Sequence, residues 1–144
     1  MYADTPPSDR RSPIARDRLD TSVRDIMRPG VLVLAEDASV RQAEHSLLAH
    51  EVDAVLVLKH DTGRPLGWVT SRGLLQWCDR DTDLSWLGNA VTEAAVTIAP
   101  SATMRQALEL LDVTGATRLL VARRPDGLPI GVVADVDLLR PLAR

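Results

Sequence analysis

The sequence contains no phenylalanine, one tyrosine and a single cysteine, Cys78. One cysteine cannot form an intrachain disulfide, so a reducing compartment is the expectation, with the cytoplasm as the default. The scarcity of aromatic rings leaves little with which to stack bases or sugars. No apolar run reaches the ~20 residues that a membrane-crossing helix needs. Residues 1–20 lack the apolar stretch of a secretory leader. A net charge of −3 gives no basic footprint for nucleic acid or for an anionic membrane. Also missing are a Walker loop, a dinucleotide fingerprint and any Ser/His/Asp set that the chain would bring together. His45 and His50 stand five apart, a spacing that does not align them for a shared metal, and His60 falls in a turn. Neither catalytic nor metal-ligating residues are therefore expected, and no cofactor is required.

What the chain does have is aliphatic bulk and a repeat. Hydrophobic residues make up 45 % of the sequence, enough for a core. Residues 1–20, rich in Pro, Arg and Asp and without periodicity, read as a flexible tail. From Thr21 onward the sequence recurs. Arg41-Gln42-Ala43 returns as Arg105-Gln106-Ala107, Gly63-x-Pro65-x-Gly67 as Gly127-x-Pro129-x-Gly131, and Leu74-Leu75 as Leu138-Leu139. Each pair is separated by the same 64 residues, so the two copies overlay without a gap. The domains read as 21–80 for the first repeat and 85–144 for the second.

Each copy runs through the same elements. An apolar run, Val31–Leu34 or Val96–Ile98, suits a strand. Ser39-x-x-Gln42 and Thr103-x-x-Gln106 fit the capping box, in which a hydroxyl accepts from the third helical amide and the glutamine reaches back. Val40, Ala43 and Leu47, and in the second copy Met104, Ala107 and Leu111, then recur at helical spacing. Gly115 supplies a helix stop in the second copy, where the first has Glu51. Ala54–Leu58 and Arg118–Ala122 read as buried strands, followed by turns at Asp61–Gly63 and Pro125–Gly127. Leu66–Thr70 and Ile130–Ala134 return as strands, and a short amphipathic helix carries each Leu-Leu pair. The fold class is α+β: two β-α-β-β-α repeats. Each buries too little alone to be comfortably stable, so the two are expected to pack through their sheets about a pseudo-twofold axis.

This order, with Gly-aliphatic-aliphatic-Thr at the exit of the last strand, resembles the cystathionine-β-synthase (CBS) domain, and two in tandem resemble a Bateman module. Val23-Arg-Asp-Ile-Met27 is similar to the family's opening, and Leu87-Gly-Asn-Ala-Val91 stands at the equivalent place in the second copy. The resemblance covers nearly all of residues 21–144. It implies a stand-alone regulatory module, not an enzyme, that binds an adenosyl nucleotide (AMP, ADP or ATP) in an inter-repeat cleft and transmits this by changes in packing or assembly. It also implies a flat homodimer acting on an unknown target protein. The alternative is a ligand-free interaction module with degenerate pockets.

The family's binding motif is Gly-h-h-Thr/Ser-x-x-Asp, where the hydroxyl and helix amides favour phosphate and the carboxylate accepts ribose hydroxyls. The first copy reads Gly67-Trp-Val-Thr70-Ser-Arg-Gly73, with the hydroxyl but no carboxylate. The second reads Gly131-Val-Val-Ala134-Asp-Val-Asp137, with the carboxylate but no hydroxyl. The resemblance therefore points to Asp137 first and Thr70 second. Asp137 has a plainer reading as a first-turn acid favoured by the helix dipole, with Asp135 the candidate cap. Arg118, opening a strand, faces either a phosphate or only solvent. Arg72 sits in a first helical turn, where positive charge opposes the dipole, and Thr97 offers a strand hydroxyl to a base. Trp68, Trp77 and Trp86 form either an interface patch or a cover for the core. Cys78 reads as a small buried or half-buried residue.

Overall fold

The computed structural model describes residues 18–79, 85–125 and 127–143. Most of the 1–20 tail thus lies outside the described residues. Of its last three, Leu19 is buried in the core of the second repeat, and the Arg18 guanidinium donates to the Leu142 carbonyl at 3.2 Å.

A short helix α1 (Val23–Ile26) leads into strand β1 (Arg28–Pro29). The first repeat then runs β2 (Val33–Ala35), α2 (Val40–His50), β3 (Ala54–Leu58), β4 (Pro65–Thr70) and α3 (Ser71–Leu74). The second runs β5 (Thr97–Ile98), α4 (Met104–Thr114), β6 (Arg118–Ala122), β7 (Pro129–Ala134) and α5 (Asp135–Ala143). A 3-10 turn, Leu87–Ala90, takes the place of α1 ahead of the second copy.

Both capping boxes form. Ser39 Oγ accepts from Gln42 N at 3.1 Å while Ser39 N donates to Gln42 Oε1 at 2.8 Å. Thr103 and Gln106 make the same exchange at 3.2 and 2.9 Å. Gly115 ends α4 in the left-handed conformation, and Glu51 ends α2 in the same conformation at φ 53°. Glycine was dispensable there because the stop is set by the chain's path.

The two sheets have the strand orders β2-β3-β4 and β1-β7-β6-β5. In each, a parallel pair (β2 with β3, β5 with β6) adjoins an antiparallel one (β3 with β4, β6 with β7). β3 and, beyond Arg118, β6 are buried on both faces, which explains their apolar sequences. Val55 and Val57 face the first repeat's own helices, and Leu119 and Val121 face those of the second. The other faces meet across the middle, where Ala54, Leu56 and Trp68 pack on Leu120. This is the shared core that the repeat implied.

The leading segments cross over. Val23 is fully buried among Ile98, Met104 and Leu119 of the second repeat. Leu87 and Ala90 are buried among Val40 and Val69 of the first. Backbone bonds repeat across the dyad: Val23 N to Ala102 O matches Leu87 N to Ala38 O, both at 2.7 Å. Met104 N to Thr21 O at 2.8 Å matches Val40 N to Ser85 O at 3.0 Å. The crossing also shifts the first expected strand. Arg28 and Pro29 pair with Val132 and Gly131 of the opposite sheet, and Gly30, at φ 82°, redirects the chain. β2 therefore starts only at Val33.

Gly67 and Gly131 of the two sequence motifs sit at these crossings. A Cβ on Gly67 would lie 2.5 Å from the Glu93 carbonyl oxygen, and one on Gly131 would lie 2.7 Å from that of Arg28. No side chain fits where the backbones approach so closely.

Candidate functional site

The pseudo-dyad leaves a cleft on either side. The first, of about 200 Å³, lies between the leading segment Arg28–Leu32, the start of β3 at Val52–Ala54, and Trp68, Arg118 and Val132. The second, of about 450 Å³, is lined at equivalent positions by Thr92–Ala94 and Val96 of the other leading segment and by Ala116 and Thr117 before β6.

The two clefts differ in charge. Arg118 reaches from β6 into the first cleft, where its Nη1 donates to Asp53 Oδ1 of the first repeat at 3.1 Å. Its guanidinium carbon lies 5.8 Å from the centroid of the Trp68 ring, a cation–π distance. The side chain is only 11 % exposed, whereas that of Asp53 is 70 % exposed. Arg28 Nε, on the other wall, donates to Asp137 Oδ2 at 3.2 Å. The first pair joins the two sheets, whereas the second ties the crossed-over strand β1 to the half it has entered. In the second cleft the equivalents of Arg28 and Asp53 are Thr92 and Thr117. Thr117 Oγ1 donates there to Glu93 Oε1 at 2.6 Å, and among the described residues no cation lines the cavity.

Asp137 is the one buried charged residue among those described. Its Oδ2 accepts from Ala134 N at 2.8 Å and its Oδ1 from Arg140 Nη1 at 3.3 Å, in addition to the bond from Arg28. It therefore ties down the amide at the start of α5, which the sequence reading gave to Asp135; Asp135 is instead exposed. Ala134 has no side-chain oxygen to cap the helix, so the carboxylate three residues on reaches back. Asp137 lines a third cavity, of about 470 Å³, together with Arg18, Met27 and Arg140. Arg28 connects that cavity's carboxylate to the first cleft.

The other anticipated residues are spread more widely. Thr70 caps α3, with its Oγ1 accepting from Gly73 N at 3.0 Å. It borders the second cleft, since a Cβ on Gly73 would lie 3.2 Å from Thr70 Oγ1 and 3.5 Å from Oγ1 of the cleft residue Thr92. Arg72 is exposed, and Thr97 sits on β5 paired with Leu120; neither lines the two clefts. Trp68 is buried between the sheets, Trp77 packs on the first repeat's core, and Trp86 is half exposed with His60 against its edge. Cys78 is exposed, because the turn after α3 carries it away from the core.

Sequence reasoning missed Arg28, Asp53, Glu93 and Thr117. A signal for two of them was present. Arg28 against Thr92 and Asp53 against Thr117 are positions where the aligned copies differ in charge.

A duplicated α+β body with a cleft on each side of an internal dyad defines a two-repeat scaffold. The chain belongs to the CBS domain family, whose sequence profile matches residues 23–80 and again residues 87–144. Solved structures agree on the fold. The chain is similar to the CBS domain of a CBS-domain-containing membrane protein from Sphaerobacter thermophilus, with a TM-score of 0.77 at 22 % identity, over 93 % of this chain and 95 % of that one. It is similar to the CBS domain of a bacterial CNNM/CorC family Mg2+ transporter in complex with ATP, with a TM-score of 0.77 at 17 % identity, over 96 % and 98 %. It is also similar to CBSX2 in complex with AMP, with a TM-score of 0.66 at 24 % identity, over 85 % and 96 %. Among curated proteins, none matches the chain.

Proposed function

We propose that this CBS pair is a regulatory module that takes an adenosyl nucleotide into the first cleft and reports its presence through the packing of the two repeats. The observation that carries this reading is the pair of ion bridges, Arg118–Asp53 and Arg28–Asp137. Each places a guanidinium at the cleft wall, and the Arg118–Asp53 pair joins the two halves. A phosphate is a stronger bidentate partner for arginine than a mostly exposed carboxylate is. Drawing Arg118 onto a ligand loosens a bridge between the halves, which is how occupancy becomes a change of shape or assembly. The relatives with bound AMP and ATP support the choice of ligand class. Asp137, once released from Arg28, keeps the ribose role that the family motif assigns, whereas Thr70 borders the second cleft and takes no part in this site.

Thermal unfolding with AMP, ADP, ATP, S-adenosylmethionine and NADH tests this. A ligand at a hundredfold excess over its dissociation constant stabilises the fold by about 2.7 kcal/mol. Absence of any shift at millimolar concentration rejects the nucleotide reading.

A second reading rests on a separate observation. Asp137 is already fully engaged, and Leu48, Leu75 and Leu139 are 79 %, 70 % and 61 % exposed on the helices. In that case the chain is an assembly module, pairing with a second copy through its helices. Sedimentation at high concentration separates the two: a monomer that binds nucleotide leaves only the first.

A further inference from the structure

Two residues that line the first cleft each carry a buried polar atom with no hydrogen-bond partner among the described residues: Trp68 Nε1 and Arg118 Nε. Both are donors, and they belong to side chains that stand at a cation–π distance from one another. Trp68 as a whole is 2 % exposed, so water does not serve its N–H. Buried donors are costly to leave unpaired, and native proteins rarely do so without a reason. The same cleft holds a carboxylate, Asp53, on only one nitrogen of the Arg118 fork. Asp53 is mostly exposed, so its grip on the arginine is weak. At the pseudo-equivalent positions of the second repeat stand Val132 for Trp68 and Thr117 for Asp53, so the arrangement belongs to one cleft alone.

We infer that Trp68 Nε1–H and Arg118 Nε–H form a two-donor clamp for an oxyanion, and that Asp53 is a built-in stand-in which the incoming anion displaces. The inference rests on the cleft reading above and adds the part of the ligand that is gripped: a phosphoryl or carboxylate oxygen, not the base. Displacement of Asp53 frees the arginine fork to turn toward the ligand, and the indole N–H gains the acceptor it lacks. Trp68 thereby becomes a specificity-determining residue. It favours ligands bearing an oxyanion over the matching neutral nucleoside.

The probes are AMP, inorganic phosphate and adenosine, each titrated into the whole chain. The readout is the indole N–H resonances of the three tryptophans, with Trp68→Phe assigning one of them. AMP and inorganic phosphate are expected to move the Trp68 resonance and adenosine to leave it in place. Calorimetry adds two variants. Asp53→Asn removes the competitor and tightens AMP by up to about fivefold. Arg118→Lys keeps the charge but loses the Nε–H, and weakens AMP by about tenfold or more. Should AMP bind while the Trp68 resonance stays still and Asp53→Asn has wild-type affinity, the clamp is wrong and the cleft reading survives. Equal affinity for adenosine and AMP also overturns the clamp. If neither wild type nor Asp53→Asn binds AMP or phosphate, both readings fall together.

Discussion

Replacing Asp137 in two different ways separates what its carboxylate does for the fold from what its charge does. Asp137→Ala removes three bonds at once. The Ala134 amide, part-buried, loses its acceptor, which costs about 1–3 kcal/mol. The negative charge in the first turn of α5 is lost, at about 0.5 kcal/mol. Arg28 and Arg140 lose their partner, but their side chains are 41 % and 59 % exposed and rehydrate, so these pairs add no more than about 1 kcal/mol together. The sum is about 3 kcal/mol, or roughly 10 °C in Tm for a chain of this size. Asp137→Asn keeps an oxygen for the Ala134 amide and gives up only the charge. Its expected loss is about 1 kcal/mol, roughly 3 °C. Urea unfolding followed by circular dichroism measures both, with the slope checked for constancy. A loss of less than 0.5 kcal/mol for Asp137→Ala, or equal losses for the two variants, would show that the bond to Ala134 does not anchor α5.

Two backbone predictions accompany it. Gly131→Ala places a methyl against the Arg28 carbonyl and Met27 sulfur; overpacking against backbone is expected to cost about 2–3 kcal/mol and to loosen β1, visible as faster amide exchange at Val132. A stable variant with unchanged exchange contradicts the crossing of the leading segment. Glu51→Gly relieves a left-handed residue at an exposed helix end, and is expected to raise stability by about 0.5–1 kcal/mol after the added freedom of the unfolded glycine is counted. A lower Tm refutes it.

The elements were legible where local chemistry decides them. Ser39 with Gln42 and Thr103 with Gln106 announce helix starts because the capping exchange involves only neighbours. Ala54–Leu58 and Arg118–Ala122 match the observed strands because a strand buried on both faces is apolar wherever it is covered, with Arg118 at the edge of its strand. The helix stop at Glu51 was harder to see, since nothing in a glutamate announces a positive φ. The crossing of the leading segments was not legible at all. Leu19, Val23 and Leu87 are ordinary aliphatic residues near a boundary, and whether they cover their own repeat or the other depends on tertiary packing alone. For the same reason the motif led to Asp137 and Thr70 but not to Arg28 or Asp53, whose partners lie 109 and 65 residues away in the chain. Gly67 and Gly131 appeared as motif letters, whereas the structure makes them gaps through which another backbone passes.

That exchange of leading segments has a consequence for how the molecule comes apart. Each half carries the plug for the other's interior, so neither can melt while its twin remains intact. Heat or denaturant should release both in a single cooperative step despite two separate sheets. Severed fragments bearing one copy each would be left with an open hydrophobic seam, and would be driven to find one another again.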